Sequence, residues 1–171
     1  MRAAGHDVHV PTLTGLGERA HLATPSVILS THVTDVQMLI EAEELNDVIL
    51  VGHSYAGHVI PLVADRLKSR LRHLVYLDCV MPTEGKAFLA PEVGAARAKV
   101  ADRGFLQEIP DLAFFGVPTD HPEAAWVKRH LTPHPLPTLT EVVRYTNRGD
   151  AGIPKTYIRC RSEEHTSELQ S

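Results

Sequence analysis

The sequence predicts an α/β domain built on a mostly parallel sheet. Strand-like and helix-like segments alternate over the first half of the 171 residues, which is typical of parallel strands joined by helices. Apolar residues make up 43% of the chain and charged residues 22%, so the chain can bury one substantial core. The same figures exclude a collagen, a coiled coil and a disordered chain.

Apolar spacing defines each element of the first half. The helical segments repeat apolar residues every three or four positions, and the strands are short runs rich in β-branched residues. The run at 48–51 is uninterrupted, which predicts a central strand buried on both faces, and we expect helices on both faces of the sheet. In chain order we predict a strand at Val8–Val10, a helix that is capped by Ser30 or Thr31 and ends near 45–47, a strand at 48–51, a helix from Ala56 to Leu67 and a strand at 74–78.

The pattern changes between Met81 and about Arg148, where prolines recur and leave short helical pieces at 123–131 and 138–145. We interpret this stretch as a helical cap inserted into the sheet. Its aromatic residues either form an apolar lid over a ligand site or hold the insertion together as a small core. The strand pattern returns at Lys155–Cys160. The aromatic residues in question are Phe88, Phe105, Phe114, Phe115 and Trp126.

Charge and cysteine content narrow the possible partners and location. Lys plus Arg total 17 and Asp plus Glu total 21, a net charge of -4 that argues against binding to nucleic acid or to an anionic membrane. Cys79 and Cys160 match neither a metal-binding spacing nor a disulfide framework, so we expect free thiols in a reducing compartment. Since no apolar run approaches the roughly 18 residues of a membrane helix, we expect a cytoplasmic protein.

The strongest functional motif is Gly52-His53-Ser54-Tyr55-Ala56-Gly57, which lies between the best strand and a well-formed amphipathic helix. A serine on a tight strand-to-helix turn is raised above the carboxyl edge of the sheet, and small residues at 52 and 56 let the turn pass close to its neighbours. The backbone N–H of Tyr55 would then face the oxyanion of a tetrahedral intermediate. We therefore predict Ser54 as a nucleophile, although a serine that only caps a helix has the same local pattern.

Other polar residues near this motif have less specific roles. Asp78 follows a strand, where it could serve as an alternative triad acid or simply bond the turn. His53 and His58 flank the motif and are interpreted as structural. Cys79 could line an acyl pocket, but a buried, inert thiol is the favoured interpretation.

The remaining histidines predict no metal site. His121, His130 and His134 lie in the proline-rich stretch and are expected to be exposed to solvent. The pairs His6/His9 and His130/His134 have no further ligand at a recognised spacing. We expect neither a metal nor a cofactor.

Three segments carry a resemblance to a known family. They are 5–22, which includes Thr14-Gly15-Leu16-Gly17-Glu18-Arg19, then 48–57 and 74–82. Together they resemble α/β-hydrolases, in the branch of small bacterial esterases, plant methyl esterases and hydroxynitrile lyases. The resemblance spans Arg2–Cys160 and implies a partial α/β-hydrolase fold with a helical cap. It also implies a serine hydrolase without metal or cofactor that acts on small carboxylic esters, with Ser54 as nucleophile and the Tyr55 N–H as one oxyanion donor. Ala56 departs from the glycine usual at that position.

Two parts of such a hydrolase do not carry over to this chain. The second oxyanion donor belongs to a His-Gly loop upstream of a segment like 1–6, and the triad acid and base follow a strand like Lys155–Cys160. We therefore expect a fragment truncated at both ends, inactive as given because the Asp and His of the triad are missing. In this interpretation 1–82 begins the hydrolase core, 83–150 is the cap and 151–160 is a returning core strand.

The final segment, Arg161–Ser171, has one apolar residue and no periodicity. It is either a disordered polar tail or not native at all, because the string resembles a translated sequencing adapter. We favour the second interpretation and leave 161–171 out of the predicted fold.

Three functions therefore stay open. The first is a carboxylesterase whose Ser54 forms an acyl-enzyme that water hydrolyses. The second is a hydroxynitrile-lyase-like enzyme that acts on cyanohydrins through the same serine. The third is a non-catalytic fragment that binds a small ligand, an interpretation favoured by the missing base.

Overall fold

A parallel three-stranded sheet lies beneath the predicted nucleophile. The computed structural model describes residues 1–147 and 149–160, and the adapter-like tail lies outside them. Strand β1 spans Val48–His53, β2 spans Leu71–Leu77 and β5 spans Lys155–Ile158. They are ordered β1-β2-β5 with both pairings parallel, so the α/β prediction is confirmed.

Two long helices supply most of the core. Helix α1 spans Leu29–Ala42 and α2 spans Ala56–Leu67. Helix α2 connects β1 to β2 and packs on both strands, and α1 packs on α2. The predicted apolar positions are buried in both helices. Helix α1 buries one face, whereas α2 also buries the polar residues His58 and Asp65, so its polar side is not fully exposed as its sequence pattern predicts. The core residues include Val33, Val36, Ile40, Val59, Ile60, Val63, Leu74 and Tyr76.

The ends of α1 differ from the prediction. The helix begins at Leu29 with Ile28 as N-cap, and the Thr31 hydroxyl accepts the Ile28 N–H at 3.2 Å. A cap at Ser30 or Thr31 is therefore wrong, because these residues lie inside the first turn. The helix ends at Ala42 rather than near 45–47, and the left-handed Glu44, at φ +51°, follows soon after.

Two strand predictions are also wrong. Val8–Val10 is not a strand, because no described segment pairs with it. Strand β1 is not buried on both faces. Within the described residues it pairs with β2 alone, and Ile49 and Val51 are 51% and 46% exposed. Helix α2 covers the other face of this strand, so the described helices do not flank β1 on both sides.

The loop with the Thr-Gly-Leu-Gly-Glu-Arg motif is fastened to α1 through one carboxylate. The backbone N–H and the hydroxyl of Thr14 donate to Asp35 at 2.6 and 2.8 Å, and Arg19 donates to it at 3.2 Å. These hydrogen bonds from Thr14 and Arg19 to the Asp35 carboxylate hold the loop against α1.

The second half contains shorter elements. Strands β3 (Leu106–Gln107) and β4 (His134–Pro135) pair antiparallel. The helices are α3 (Pro91–Val100), α4 (Ala124–His130) and α5 (Pro137–Thr140). Helix α4 matches the prediction at 123–131 closely, α5 is much shorter than 138–145, and α3 was not predicted. No helix in the described part of the chain is long and apolar enough to cross a membrane.

The segment that leads from this region back to the core is bound by a buried carboxylate. Asp65 of α2 accepts the backbone N–H groups of Thr146, Asn147 and Gly149, each at 2.7 Å. Desolvation raises the pKa of Asp65, but these hydrogen bonds outweigh it and hold the pKa below its usual value. The hydrogen bonds to Asp65 therefore fix the path of the chain into β5.

Candidate active site

The carboxyl edge of the sheet brings Ser54 and Asp78 next to each other. His53 of β1 is paired with Leu77 of β2, and each strand ends at that residue. Ser54 and Asp78 are thus the next residues on neighbouring parallel strands. Ligands of α/β sheets bind at this edge.

Ser54 lies on a sharp turn between β1 and α2. Its φ is +51°, a left-handed conformation that non-glycine residues rarely adopt. Its N–H donates to the carbonyl of Leu77 at 3.3 Å, and its carbonyl accepts the N–H of Gly57 at 3.0 Å. The residue is exposed, and its hydroxyl makes no hydrogen bond to the described residues. The hydroxyl is therefore free to meet a ligand.

Two glycines make room for this turn. A Cβ on Gly52 would lie 2.6 Å from Ile60 and 2.8 Å from the methyl group of Ala56. A Cβ on Gly57 would lie 2.6 Å from the carbonyl oxygen of Val80. Small residues at 52 and 56 are expected from the sequence, and the structure adds 57 as the position with the least space. Ala56 is tolerated because Gly52 leaves room for its methyl group.

Tyr55 offers its backbone N–H at the start of α2. That N–H finds no acceptor among the described residues, as is usual at the first positions of a helix. The side chain lies in a largely buried site, where burial raises the pKa of the Tyr55 hydroxyl. The ring stacks edge-on against His32, Phe88 and His134.

Asp78 resembles a turn residue more than a triad acid. Its φ is +45°, its N–H donates to Ile158 at 2.7 Å, and its carboxylate accepts the Cys160 N–H at 3.4 Å. The side chain is exposed, and no described histidine contacts it.

The histidines lie in three kinds of environment. His53 is exposed at the end of β1, whereas His58 is buried in α2 with Nδ1 lacking any partner in the described part. Burial lowers the pKa of His58 to about 4, against a small opposing effect from the Val80 backbone. His121 and His130 are exposed as expected.

His134 corrects the sequence prediction. It is partly buried rather than solvent-exposed. Burial lowers the pKa of His134 to about 4, and the nearby His32 lowers it to a smaller extent. Its Nε2 lies 2.7 Å from the Thr138 hydroxyl, which itself donates to the Pro135 carbonyl. The proline-rich surroundings suggested a surface loop, but the segment instead packs against Tyr55.

The two cysteines match the sequence prediction. Cys79 and Cys160 are free thiols. Cys79 is buried, its Sγ lies 3.2 Å from the Gly52 carbonyl, and burial raises the pKa of the thiol. No group of three potential metal ligands occurs in residues 1–147 and 149–160.

The aromatic residues of the predicted cap do not act as one group. Phe88 reaches the serine turn, where its ring packs edge-on against Tyr55 and His58. Phe114 and Trp126 are more than half exposed. A cleft of about 930 Å³ between α3 and α5 is also lined in part by Phe88. The lid stays a prediction, and Phe88 is the aromatic residue of the region that the structure brings to the site.

Comparisons with known proteins identify the class. The profile of the alpha/beta hydrolase family matches residues 1–170. A carbendazim hydrolyzing esterase from Nocardioides sp. (strain SG-4G) is 43% identical over 172 residues, which is 92% of this chain and 70% of the esterase. The protein belongs to the alpha/beta hydrolase family, so the resemblance seen in the sequence is confirmed.

Solved structures support the same fold. An extracellular alpha/beta-hydrolase from a Paenibacillus species matches with a TM-score of 0.77 at 23% identity, covering 91% of this chain and 66% of that one. A methylesterase from Arabidopsis matches with a TM-score of 0.63 at 17% identity, again covering 91% and 66%. The chain spans about two thirds of the length of these two proteins.

One group of residues in this site was missed from the sequence. Tyr55, His32 and His134 form a buried cluster, although they lie far apart in the chain. Only the helical spacing of the apolar residues in α1 could have indicated that His32 is buried. His32 directly precedes the buried Val33 and lies four residues before the buried Val36.

Proposed function

We propose that the chain carries the nucleophile and one oxyanion donor of a serine carboxylic-ester hydrolase acting on small esters. Oγ of Ser54 attacks the ester carbonyl carbon, the alcohol leaves with a proton, and an acyl group stays on the serine. Water then attacks the acyl carbon, which releases the acid and restores the hydroxyl. The carrying observation is the exposed Ser54 at φ +51° on a strand-to-helix turn, beside a Tyr55 N–H that has no acceptor within residues 1–147 and 149–160.

The start of α2 supports the oxyanion role. The Tyr55 N–H adjoins the N-terminus of a twelve-residue helix, Ala56–Leu67, whose dipole favours negative charge at that end. One preorganised donor of this kind is worth about 2.7–4 kcal/mol of transition-state stabilisation. The relative named as an esterase is consistent with an ester as the substrate.

We assign the catalytic base to no described histidine. No described histidine hydrogen-bonds to the Ser54 hydroxyl, and His58 is buried in the helix. The order that the family resemblance implies places the acid and base after β5. Without an aligned base, the proposal expects slow acylation of Ser54 and little turnover.

The test follows acylation rather than turnover. The chain is incubated with p-nitrophenyl acetate, and intact mass and peptide mapping locate any acetyl group. We expect one acetyl group on Ser54, lost in Ser54→Ala and kept in Ser69→Ala, a control serine that is exposed on the short helical turn after α2.

Added imidazole supplies a mobile base. It should raise the acylation rate of the natural chain above that of Ser54→Ala, which corrects for the ester that imidazole cleaves by itself. Equal rates in the two proteins, or an acetyl group that persists in Ser54→Ala, would refute the nucleophile. Saturable ligand binding without an adduct would then favour a non-catalytic binding protein.

A further inference from the structure

A buried chain of hydrogen bonds ends at the side chain of Tyr55, and the proposed reaction does not use it. The Tyr55 hydroxyl lies 3.0 Å from Nδ1 of His32, and Nε2 of His32 lies 2.9 Å from the carbonyl oxygen of Thr14. His32 is fully buried in α1. These two hydrogen bonds therefore connect the loop that contains the Thr-Gly-Leu-Gly-Glu-Arg motif to the serine turn.

Chemistry fixes the direction of both hydrogen bonds. A carbonyl oxygen only accepts, so Nε2 of His32 carries the hydrogen and donates to Thr14. Burial lowers the pKa of His32 more than its contact with Thr14 raises it, so the ring is neutral and Nδ1 presents a lone pair. The Tyr55 hydroxyl must then donate to Nδ1.

Both ends of this chain are held in place. Thr14 is itself bound to the Asp35 carboxylate through two hydrogen bonds, so the carbonyl that accepts from His32 belongs to a fixed loop. At the other end, the Tyr55 ring meets His134 with ring centroids 4.9 Å apart and Phe88 at 6.0 Å. The Tyr55 side chain is thus held by ring contacts with His32, Phe88 and His134 and by its hydrogen bond to His32.

We infer that His32 is a positioning residue that acts through Tyr55. By fixing the Tyr55 side chain, it helps to hold the Ser54–Tyr55 peptide, whose carbonyl also accepts the Gly57 N–H, and so the N–H that faces the developing oxyanion. The inference rests on the proposed function. An oxyanion donor stabilises the transition state more than the bound ester. A misdirected N–H therefore lowers the maximal acylation rate more than it weakens ester binding.

Four variants separate positioning from simple core packing. Tyr55→Phe removes the hydroxyl, and His32→Leu removes the acceptor while keeping an apolar core. His32→Asn restores an acceptor where Nδ1 stood, because the amide oxygen of asparagine lies at the same distance from the backbone. Tyr76→Phe is the matched control, since Tyr76 is another buried tyrosine whose hydroxyl donates to Asp150, at 2.7 Å.

The first readout is the rate of Ser54 acylation against ester concentration. We expect Tyr55→Phe and His32→Leu to lower the maximal rate about tenfold with half-saturation unchanged within about twofold. His32→Asn should recover most of that rate, and Tyr76→Phe should keep it even where its Tm falls. The inference is overturned if His32→Asn is as slow as His32→Leu, or if His32→Leu lowers only the Tm.

The second readout does not depend on catalysis. The ¹H–¹⁵N resonance of the Tyr55 amide should move in Tyr55→Phe and His32→Leu and return towards its natural position in His32→Asn. If the natural chain is never acylated at Ser54, the proposed function fails, and this resonance alone decides whether His32 sets the Tyr55 peptide. An amide signal unmoved by His32→Leu overturns the inference.

Discussion

The turns after β1 and β2 begin alike and continue differently. Ser54 and Asp78 are both left-handed although neither is glycine, and they lie side by side at one edge of the sheet. After Ser54 a helix begins at once, and the Tyr55 N–H meets no acceptor in the described part of the chain. After Asp78 the chain continues as a loop, and the Asp78 carboxylate accepts the Cys160 N–H. A left-handed residue at a strand end therefore indicates a tight turn, and the helix start adds a dipole that favours negative charge at that end.

The second turn also supports the first. The residues that follow Asp78 pack beneath the serine turn, where the Cys79 thiol lies 3.2 Å from the carbonyl of Gly52. The Val80 carbonyl occupies the space beside Gly57. The Asp78 turn thus contributes packing to a site whose chemistry we assign to Ser54.

Acid should lower the stability of the folded protein through His58, which lies in the first turn of the helix after Ser54. Its pKa is about 4 in the folded protein and about 6.5 when unfolded, so between these values only the unfolded chain takes up the proton. Stability is therefore complete above about pH 6.5 and falls towards pH 4, by about 3 kcal/mol from this histidine. Urea unfolding at pH 7 and pH 4.5 measures the loss.

The variant His58→Leu isolates that contribution from the other buried histidines. It should lose less stability between the two pH values than the natural chain, because Leu binds no proton. His53→Gln is the control, since His53 is exposed on the same turn and should leave the pH profile unchanged. Equal pH dependence in His58→Leu and the natural chain contradicts the prediction.

Filling the space between the two turns should lower the free energy of unfolding almost as much as the protonation of His58. Gly57→Ala places a methyl group 2.6 Å from a backbone carbonyl that cannot rotate away, so we expect a loss of about 2 kcal/mol in the free energy of unfolding. Gly94→Ala is the control. There the new methyl group meets only the side chain of Thr140, whose methyl lies at 2.6 Å and can turn away, and no backbone atom. Thermal unfolding of both variants makes the comparison, and similar losses would contradict it.

The sequence predicted the parts of the fold that depend on local periodicity. Helix α2 was predicted because its apolar spacing is regular, and the Gly52–Gly57 motif predicted the serine turn. Strand β2 was predicted in part: the run at 74–78 indicated it, but the strand spans Leu71–Leu77 and ends before Asp78. The exposed face of β1 was not predicted. A continuous apolar run such as 48–51 reads the same whether a helix covers one of its faces or both, so burial depends on neighbours that the run does not encode.

The candidate site shows the same division. Ser54 and Tyr55 were predicted from adjacent residues, because a strand, a turn and a helix follow one another in the chain. His32 and His134 were not linked to Tyr55, because the three come together only when α1 and the segment before α5 pack on the serine turn. Proline-rich sequence around His134 indicated exposure, and tertiary packing overrode it.

The smallest expected effect compares the strain in the two turns directly. A left-handed conformation costs a residue with a Cβ about 1 kcal/mol, so Ser54→Gly should raise the free energy of unfolding by up to about 1 kcal/mol while abolishing acylation. Asp78→Gly relieves the same strain but loses the contact with Cys160, so its gain should be smaller. Ser69→Gly, at a position without positive φ, should lose stability instead. If Ser54→Gly also loses stability, the left-handed backbone at the serine is not strained, and the turn is held by its packing against Val80 rather than in spite of its conformation.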